Sequence, residues 1–168
     1  MTIEELNTLG KTALAELLTK CCGSTTWVGK MCKLFPMPDE ANLFEEAIRS
    51  WNACHEEDWL EAFSHHPKIG DTGSLKEKFS TTADWAAGEQ SSVKHSSPEV
   101  LEALYNANRL YEEKFGYIFI VCATGKPAEE MLRLLQERLN GTPEDEIKIA
   151  MTEQQKITAL RLEKLLHS

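Results

Sequence analysis

The stretch YIFIVC, residues 117–122, decides the fold class, because no other part of this 168-residue chain has the aromatic and β-branched composition of a strand. A single strand needs a partner to be stable, and the sequence offers no second β-rich run. Helical patterns lie on both sides of the stretch. The sequence therefore predicts an all-α, bundle-like domain with one extended segment near residues 117–122.

Helix boundaries around this segment are marked by residues that cap or terminate helices. Residues 98–115 are expected to form a helix that ends at Gly116, and the C-terminal helix is expected to begin with Thr142 as N-cap and Pro143 in its first turn. The helix that follows Asp39, its N-cap, is expected to bury Leu43, Phe44, Ala47, Ile48 and Trp51. Further helices are expected near residues 11–22, 27–34, 56–64, 82–93 and 127–139. We also expect a capping box at Thr2 and Glu5, a left-handed Gly23 after the second helix, and a turn capped by Ser74. The acidic residues 144–146 lie in the first turn of the last helix, where the helix dipole favours anions.

Composition excludes several classes of protein. The chain is 42% hydrophobic and 27% charged, which indicates a globular domain, and it has no apolar run long enough to cross a bilayer. A net charge of −9 disfavours binding to nucleic acid. The first residues lack the basic and apolar regions of a signal peptide, so we expect a cytoplasmic, reducing location in which the five cysteines are free thiols.

Arg161 is a polar residue where helical periodicity expects an apolar one. At 100° per residue it falls within the inward stripe of the last helix, together with Ile147 and Leu162. A buried guanidinium must meet a carboxylate of the protein or an anionic ligand, unless its long side chain reaches water at the helix end. The sequence leaves these three environments open.

Glu89 and His66 are two further candidates for chemistry. Glu89 shares a helix face with Trp85, where partial burial should raise the pKa of its carboxyl unless a cation stabilises the charged form. Such a residue forms a structural salt bridge or acts in catalysis. His66 is expected in a bend before Pro67, which suits a fixed general acid or base, whereas the neighbouring His65 is expected to face solvent.

Other common site types have little support. The potential metal ligands His55, Glu56, Asp58, His65 and His66 lack the spacing of a zinc motif, so we expect no metal site. No nucleophile elbow, phosphate-binding loop or dinucleotide fingerprint occurs. The residues alone thus indicate an all-α domain with a His, Glu and Arg site for a small anion.

Four motifs, in this order, resemble those of the 2-oxo-4-hydroxy-4-carboxy-5-ureidoimidazoline (OHCU) decarboxylases of purine breakdown. They are HHPKIGD at residues 65–71, GEQ at 88–90, LYNANRLYEEKFGYIFIVCATGK at 104–126 and ITALRLEKL at 157–165. The resemblance spans nearly the whole chain and implies one domain over residues 1–168. It also implies an all-helical fold, a homodimer, no metal or organic cofactor, and conversion of the anionic small molecule OHCU to (S)-allantoin and carbon dioxide.

The resemblance assigns roles to individual residues. His66 matches the catalytic histidine, and Glu89 matches a glutamate that contacts the substrate and orients the histidine or binds the substrate hydroxyl. The implied substrate-binding residues are Pro67, Gln90, Arg161 and the segment FIVCA, which comprises Phe119, Ile120, Val121, Cys122 and Ala123. The backbone groups of an extended segment can bind a ureido or imidazolone edge, which a helix, with its backbone groups paired internally, cannot do. Ala86 departs from the family pattern, which has a serine at that position, so a hydroxyl contact to the substrate is missing or replaced.

Two other functions fit the same residues. In a helical interaction module, Arg161 and Glu89 would form a structural ion pair and His66 would only end a helix. Such a module would have no turnover and no ligand pocket. In a related enzyme, the site would accept another ureido or imidazoline acid, given Ala86.

Overall fold

The computed structural model describes residues 1–67 and 97–168. Within these ranges the chain is helical and contains no strand, which confirms the predicted fold class. The helices are α1 (Ile3–Thr8), α2 (Lys11–Cys21), α3 (Thr25–Leu34), α4 (Glu40–Asn52), α5 (Glu56–Ser64), α6 (Pro98–Phe115), α7 (Ala128–Arg138) and α8 (Pro143–His167). None of them is both long and apolar enough to cross a membrane. The predicted turn at Ser74 and helix at 82–93 lie outside the described residues.

The chain forms two compact units, of which the first comprises residues 1–62 and 154–168. In it, α3 packs against α2 and α4. Trp27 is fully buried at the centre and donates its indole N–H to the Ala47 carbonyl at 3.0 Å. Leu43, Ala47 and Trp51 are buried as predicted, but Phe44 is only half-buried and Ile48 remains 40% exposed. The buried face of α4 is therefore narrower than its apolar pattern.

The second unit comprises residues 63–153, in which α6 packs against α7. Its core contains three residues of the extended segment together with six residues of the two helices: Phe119, Val121 and Ala123, with Leu104, Ala107, Tyr111, Ala128, Met131 and Leu135. Alternate residues of an extended chain point the same way, which is why the odd-numbered side chains share this core. Residues 118–123 are neither helix nor strand, and the described parts of the chain contain no strand to pair with them, which agrees with the prediction for this stretch.

Most of the predicted helix ends are confirmed. Thr2 and Glu5 form a complete capping box, Asp39 accepts a hydrogen bond from the Asn42 N–H at 2.8 Å, and Gly116 ends α6 with φ at 84°. Gly23 was expected in the left-handed conformation, and this prediction is wrong, since the described glycines with positive φ are Gly116 and Gly125. The helix before it ends at an extended Cys22, and Ser24 immediately caps the next one, so no left-handed turn is needed.

Candidate functional site

His66 lies in the bend that follows α5, as predicted. Its N–H donates to the Phe63 carbonyl at 3.1 Å, which closes a tight turn at the helix end. Pro67 is buried and His66 is half-buried, whereas His65 is exposed. The turn therefore keeps His66 partly inside the protein, whereas His65 is exposed to water.

Helix α5, which leads to His66, is attached to the start of α3 by carboxylate contacts. Glu61 accepts from the Thr25 N–H at 3.0 Å and from the Thr25 hydroxyl at 2.6 Å. Asp58 accepts from the Thr26 hydroxyl at 2.6 Å. The bond from Thr26, followed by one from the His55 N–H at 2.9 Å, lowers the pKa of Asp58, so its carboxylate stays charged at neutral pH. Two threonine side chains thus fix α5 along its length.

The extended segment FIVCA is buried along its whole length, with each residue at most 8% exposed. Its carbonyls bind cationic side chains, since Ile120 O accepts from Arg138 and Cys122 O accepts from the Lys126 ammonium at 2.8 Å. A turn follows, in which the Lys126 N–H donates to Ala123 O at 3.0 Å. Side chains therefore supply hydrogen bonds that a neighbouring strand would supply in a sheet.

A chain of aromatic rings connects the turn of His66 with this segment inside the second unit. Phe63 lies 5.3 Å from Tyr117, Tyr117 lies 5.9 Å from Tyr111, and Tyr111 lies 5.3 Å from Phe119, all measured between ring centroids. The last two pairs are edge-to-face, which is one of the geometries that aromatic pairs prefer. Two of the sequence-predicted site elements are thus built on one aromatic core.

A buried ionic cluster, which sequence reasoning missed, lies beside the same rings. Arg138 donates from Nε to Glu146 Oε1 at 2.7 Å, and the Tyr111 hydroxyl donates to the same oxygen. Glu146 and Tyr111 are fully buried. Burial, more than any other influence, raises the pKa of Tyr111, so its hydroxyl remains a donor. The missed signal was the spacing of Glu146, four residues before the buried Ala150 on the inner face of α8.

Arg161 points inward, as periodicity predicted, and is only 6% exposed. It therefore does not reach water at the helix end. Its Nη1 donates to the Lys20 carbonyl at 3.3 Å in the first unit. The thiols of Cys21 and Cys22 lie close enough to feel its charge, but burial has the larger effect and raises the pKa of each to about 12. Both thiols are therefore neutral and unreactive near pH 7.

Three of the predicted site residues, Ala86, Glu89 and Gln90, lie outside the described residues. Their roles stay predictions. Within the described residues, no three His, Cys, Asp or Glu side chains are grouped where they could hold a metal ion. All five cysteines are free, as predicted, and four of them are buried.

Comparison with known proteins agrees with this architecture. The family model for OHCU decarboxylase matches residues 7–163. The uric acid degradation bifunctional protein TTL of Arabidopsis thaliana is 40% identical over 149 residues, which are 86% of this chain and 45% of that protein. The 2-oxo-4-hydroxy-4-carboxy-5-ureidoimidazoline decarboxylase of Halalkalicoccus jeotgali is 23% identical, over 98% of this chain and 92% of that protein.

A solved structure shows the same fold. The crystal structure of an OHCU decarboxylase in the presence of (S)-allantoin matches with a TM-score of 0.75 and 37% identity, over 89% of this chain and 96% of that one. The chain spans less than half the length of the Arabidopsis bifunctional protein. Because the family model covers nearly the whole sequence, the chain belongs to the OHCU decarboxylase family.

Proposed function

We propose that this chain is a cofactor-independent carboxy-lyase that converts OHCU to (S)-allantoin and carbon dioxide in urate breakdown. The observation that carries the proposal is the placement of His66 and the FIVCA segment in one unit, joined by the rings from Phe63 to Phe119. This arrangement supplies a fixed imidazole together with a buried, non-helical backbone. The family match over residues 7–163 supports a single functional domain.

The proposed chemistry needs positioning and proton transfer. The bond between the ring carbon and the carboxylate breaks, carbon dioxide leaves, and the electron pair passes into the conjugated ring. A proton then adds to one face of the neighbouring ring carbon, which sets the S configuration, while the hydroxyl loses its proton to become a carbonyl and a ring nitrogen gains one. His66 is the group we assign to the proton transfer, since it is held in a bend and histidine is the side chain that most readily exchanges a proton near neutral pH. No electron sink beyond the substrate's own ring is required.

The remaining residues have binding roles in this proposal. Arg161 and Gln90 bind the carboxylate or carbonyl oxygens of the substrate, and Glu89 orients His66 or binds the substrate hydroxyl. Pro67 and residues 119–123 line the pocket. Ala86 supplies no hydroxyl, so we assign to water or to Gln90 the hydrogen bond that a serine would donate there.

We also propose a homodimer in a reducing, cytoplasmic location. The free state of all five cysteines supports the location, and the resemblance to dimeric family members supports the assembly. Tyr105 and Leu110, on α6, are 68% and 49% exposed, which leaves apolar surface for a partner to cover. Light scattering coupled to gel filtration, run under reducing conditions, measures the oligomeric state.

The enzymatic proposal is tested by generating OHCU from urate in situ and following the optical activity of the allantoin formed. Spontaneous decay gives racemic allantoin, so an excess of the S enantiomer reports catalysis. His66→Asn should lower the rate by about 10²- to 10⁴-fold, because the change removes a positioned acid or base. The variant should still fold, because the residue lies in a turn. His65→Asn is the matched control and should retain the rate. Racemic product with the wild-type protein would overturn the proposal, and near-normal turnover of His66→Asn would remove that residue from the mechanism.

A further inference from the structure

A buried cluster in the second unit joins three helices beside the first two residues of the FIVCA segment. Arg138 is the last residue of α7, Glu146 lies in the first turn of α8, and Tyr111 lies in α6. The Arg138 guanidinium and the Tyr111 hydroxyl both direct their hydrogen bonds at one carboxylate oxygen, Glu146 Oε1. The other oxygen, Glu146 Oε2, has no hydrogen-bond partner in the described parts of the chain. Arg138 is therefore the cation that makes burial of this carboxylate tolerable.

The same guanidinium also holds the extended segment. Its Nη1 donates to the carbonyl of Ile120, and its guanidinium carbon lies over the ring of Phe119, 4.5 Å from the ring centroid. One side chain thus binds a carboxylate, a main-chain carbonyl and an aromatic face. Only the planar, multiply donating group of arginine can make all three contacts together, since the ammonium of lysine is a compact point charge.

These contacts bear on the conformation of residues 119–123. The segment has no strand partner within the described ranges, so side-chain contacts determine which of its carbonyls are engaged. Arg138 takes the carbonyl of Ile120, and Lys126 takes that of Cys122 at 2.8 Å. The odd-numbered side chains Phe119 and Val121 are fixed in the core. The hydrogen bonds to the carbonyls and the packing of the odd-numbered side chains therefore together fix the orientation of the segment about its own axis.

We propose that Arg138 is a positioning residue for the decarboxylation. It holds the carbonyl of Ile120 and the ring of Phe119, so that the other backbone groups of residues 119–123 meet the ureido or imidazolone edge of the substrate in a fixed orientation. Arg138 acts through the segment and does not itself contact the substrate. This inference rests on the proposed function, because it assumes that the segment lines the substrate pocket.

The test separates positioning from a merely structural ion pair. The double variant Arg138→Met/Glu146→Gln removes both charges, so no buried carboxylate is left unpaired, while the amide oxygen introduced at position 146 can still accept from the Tyr111 hydroxyl. We expect this variant to fold, with KM for OHCU raised about tenfold and kcat changed far less, since tenfold corresponds to ~1.4 kcal/mol of lost binding. Amide hydrogen exchange of residues 120–123 should become at least about tenfold faster. The same double change at Arg133 and Glu137, an exposed pair on α7 with its charges 2.7 Å apart, is the matched control and should alter neither quantity.

Arg138→Lys is the second variant, and it decides the matter if the double variant does not fold. It keeps a cation beside Glu146, but one compact ammonium cannot contact the carboxylate, the Ile120 carbonyl and the Phe119 ring together. Faster exchange at residues 120–123 with a raised KM therefore supports the proposal. Wild-type KM and wild-type exchange in a folded variant would overturn it. If the wild-type protein itself gave racemic allantoin, the proposed function would fall, and the exchange measurement alone would then decide whether Arg138 fixes the segment.

Discussion

Arg138 and Arg161 are both largely buried, but their surroundings differ. The side chain of Arg138 is 10% exposed and faces a fully buried carboxylate, so its charge is matched within the second unit. Arg161 is 6% exposed in the first unit, where it donates to the Lys20 carbonyl and lies near the thiols of Cys21 and Cys22. The environment of Arg138 is that of a structural ion pair, and the environment of Arg161 includes a neutral main-chain acceptor. The comparison indicates that burial alone does not show whether an arginine has a structural or a substrate-binding role.

The largest expected effect tests the structural side of this comparison. Arg138→Met as a single change leaves the carboxylate of Glu146 buried beside an apolar side chain. We expect the free energy of unfolding to fall by about 3–5 kcal/mol, the usual effect of breaking a buried ion pair. Urea titration measures it, with Arg133→Met on the exposed face of α7 as control, where the loss should stay under ~1 kcal/mol. Equal losses in the two variants would show that the buried pair is not needed for stability.

The second effect tests the functional side. Arg161→Met should keep the fold and slow decarboxylation about 10- to 100-fold, which corresponds to one charge-assisted hydrogen bond to the substrate. Arg161→Lys should be impaired to a similar degree, because an ammonium lacks the planar fork that grips two oxygens. The enantiomeric assay is run beside thermal unfolding. A fully active lysine variant, or a collapse of the melting temperature in the methionine variant, would assign Arg161 to structure instead of substrate binding.

The smallest effect concerns the thiols near Arg161. Burial raises the pKa of Cys21 and of Cys22 from 9.0 to about 12, so in the folded state both thiols stay protonated where the unfolded chain ionises. Their contribution to stability is complete below pH 9 and is lost as the pH rises from 9 toward 12. At pH 10 the expected loss is about 1 kcal/mol for each thiol. The urea midpoints of the wild type at pH 8 and pH 10 should therefore differ, and the difference should be smaller in Cys22→Ala. The half-buried Cys32 is the control, since Cys32→Ala should keep most of the wild-type difference between the two midpoints.

The inward position of Arg161 could be predicted from the sequence, while the role of Arg138 could not. Arg161 lies in the middle of a regular helix, so a fixed rotation per residue places it on the buried face. Arg138 and Glu146 are separated by the turn between α7 and α8, and no helical period extends through a turn. Local patterns therefore predicted the helices and their caps, but not the contacts that the connections create.

The extended segment gives the same lesson on a smaller scale. Its composition and the lack of a β-rich partner predicted a lone extended run, and in the described parts of the chain this stretch is neither helix nor strand. Which of its carbonyls are engaged depends on Arg138 and Lys126, both of which follow the segment in the sequence and reach back to it. The wrong prediction for Gly23 has a related cause, because the next helix cap follows at once and leaves no room for a left-handed turn.

The aromatic residues divide between the units in a way that makes each unit visible by its own optical signal. Trp27, Trp51 and Trp59 belong to the first unit, and Trp51 and Trp59 lie 6.3 Å apart. The second unit has Tyr111 within 6 Å of three other rings, an asymmetric setting that gives tyrosine a strong near-ultraviolet circular dichroism. In a Trp85→Phe variant, tryptophan emission reports the first unit and tyrosine dichroism the second. Superimposable denaturation curves from the two signals would show that both units unfold in one cooperative step.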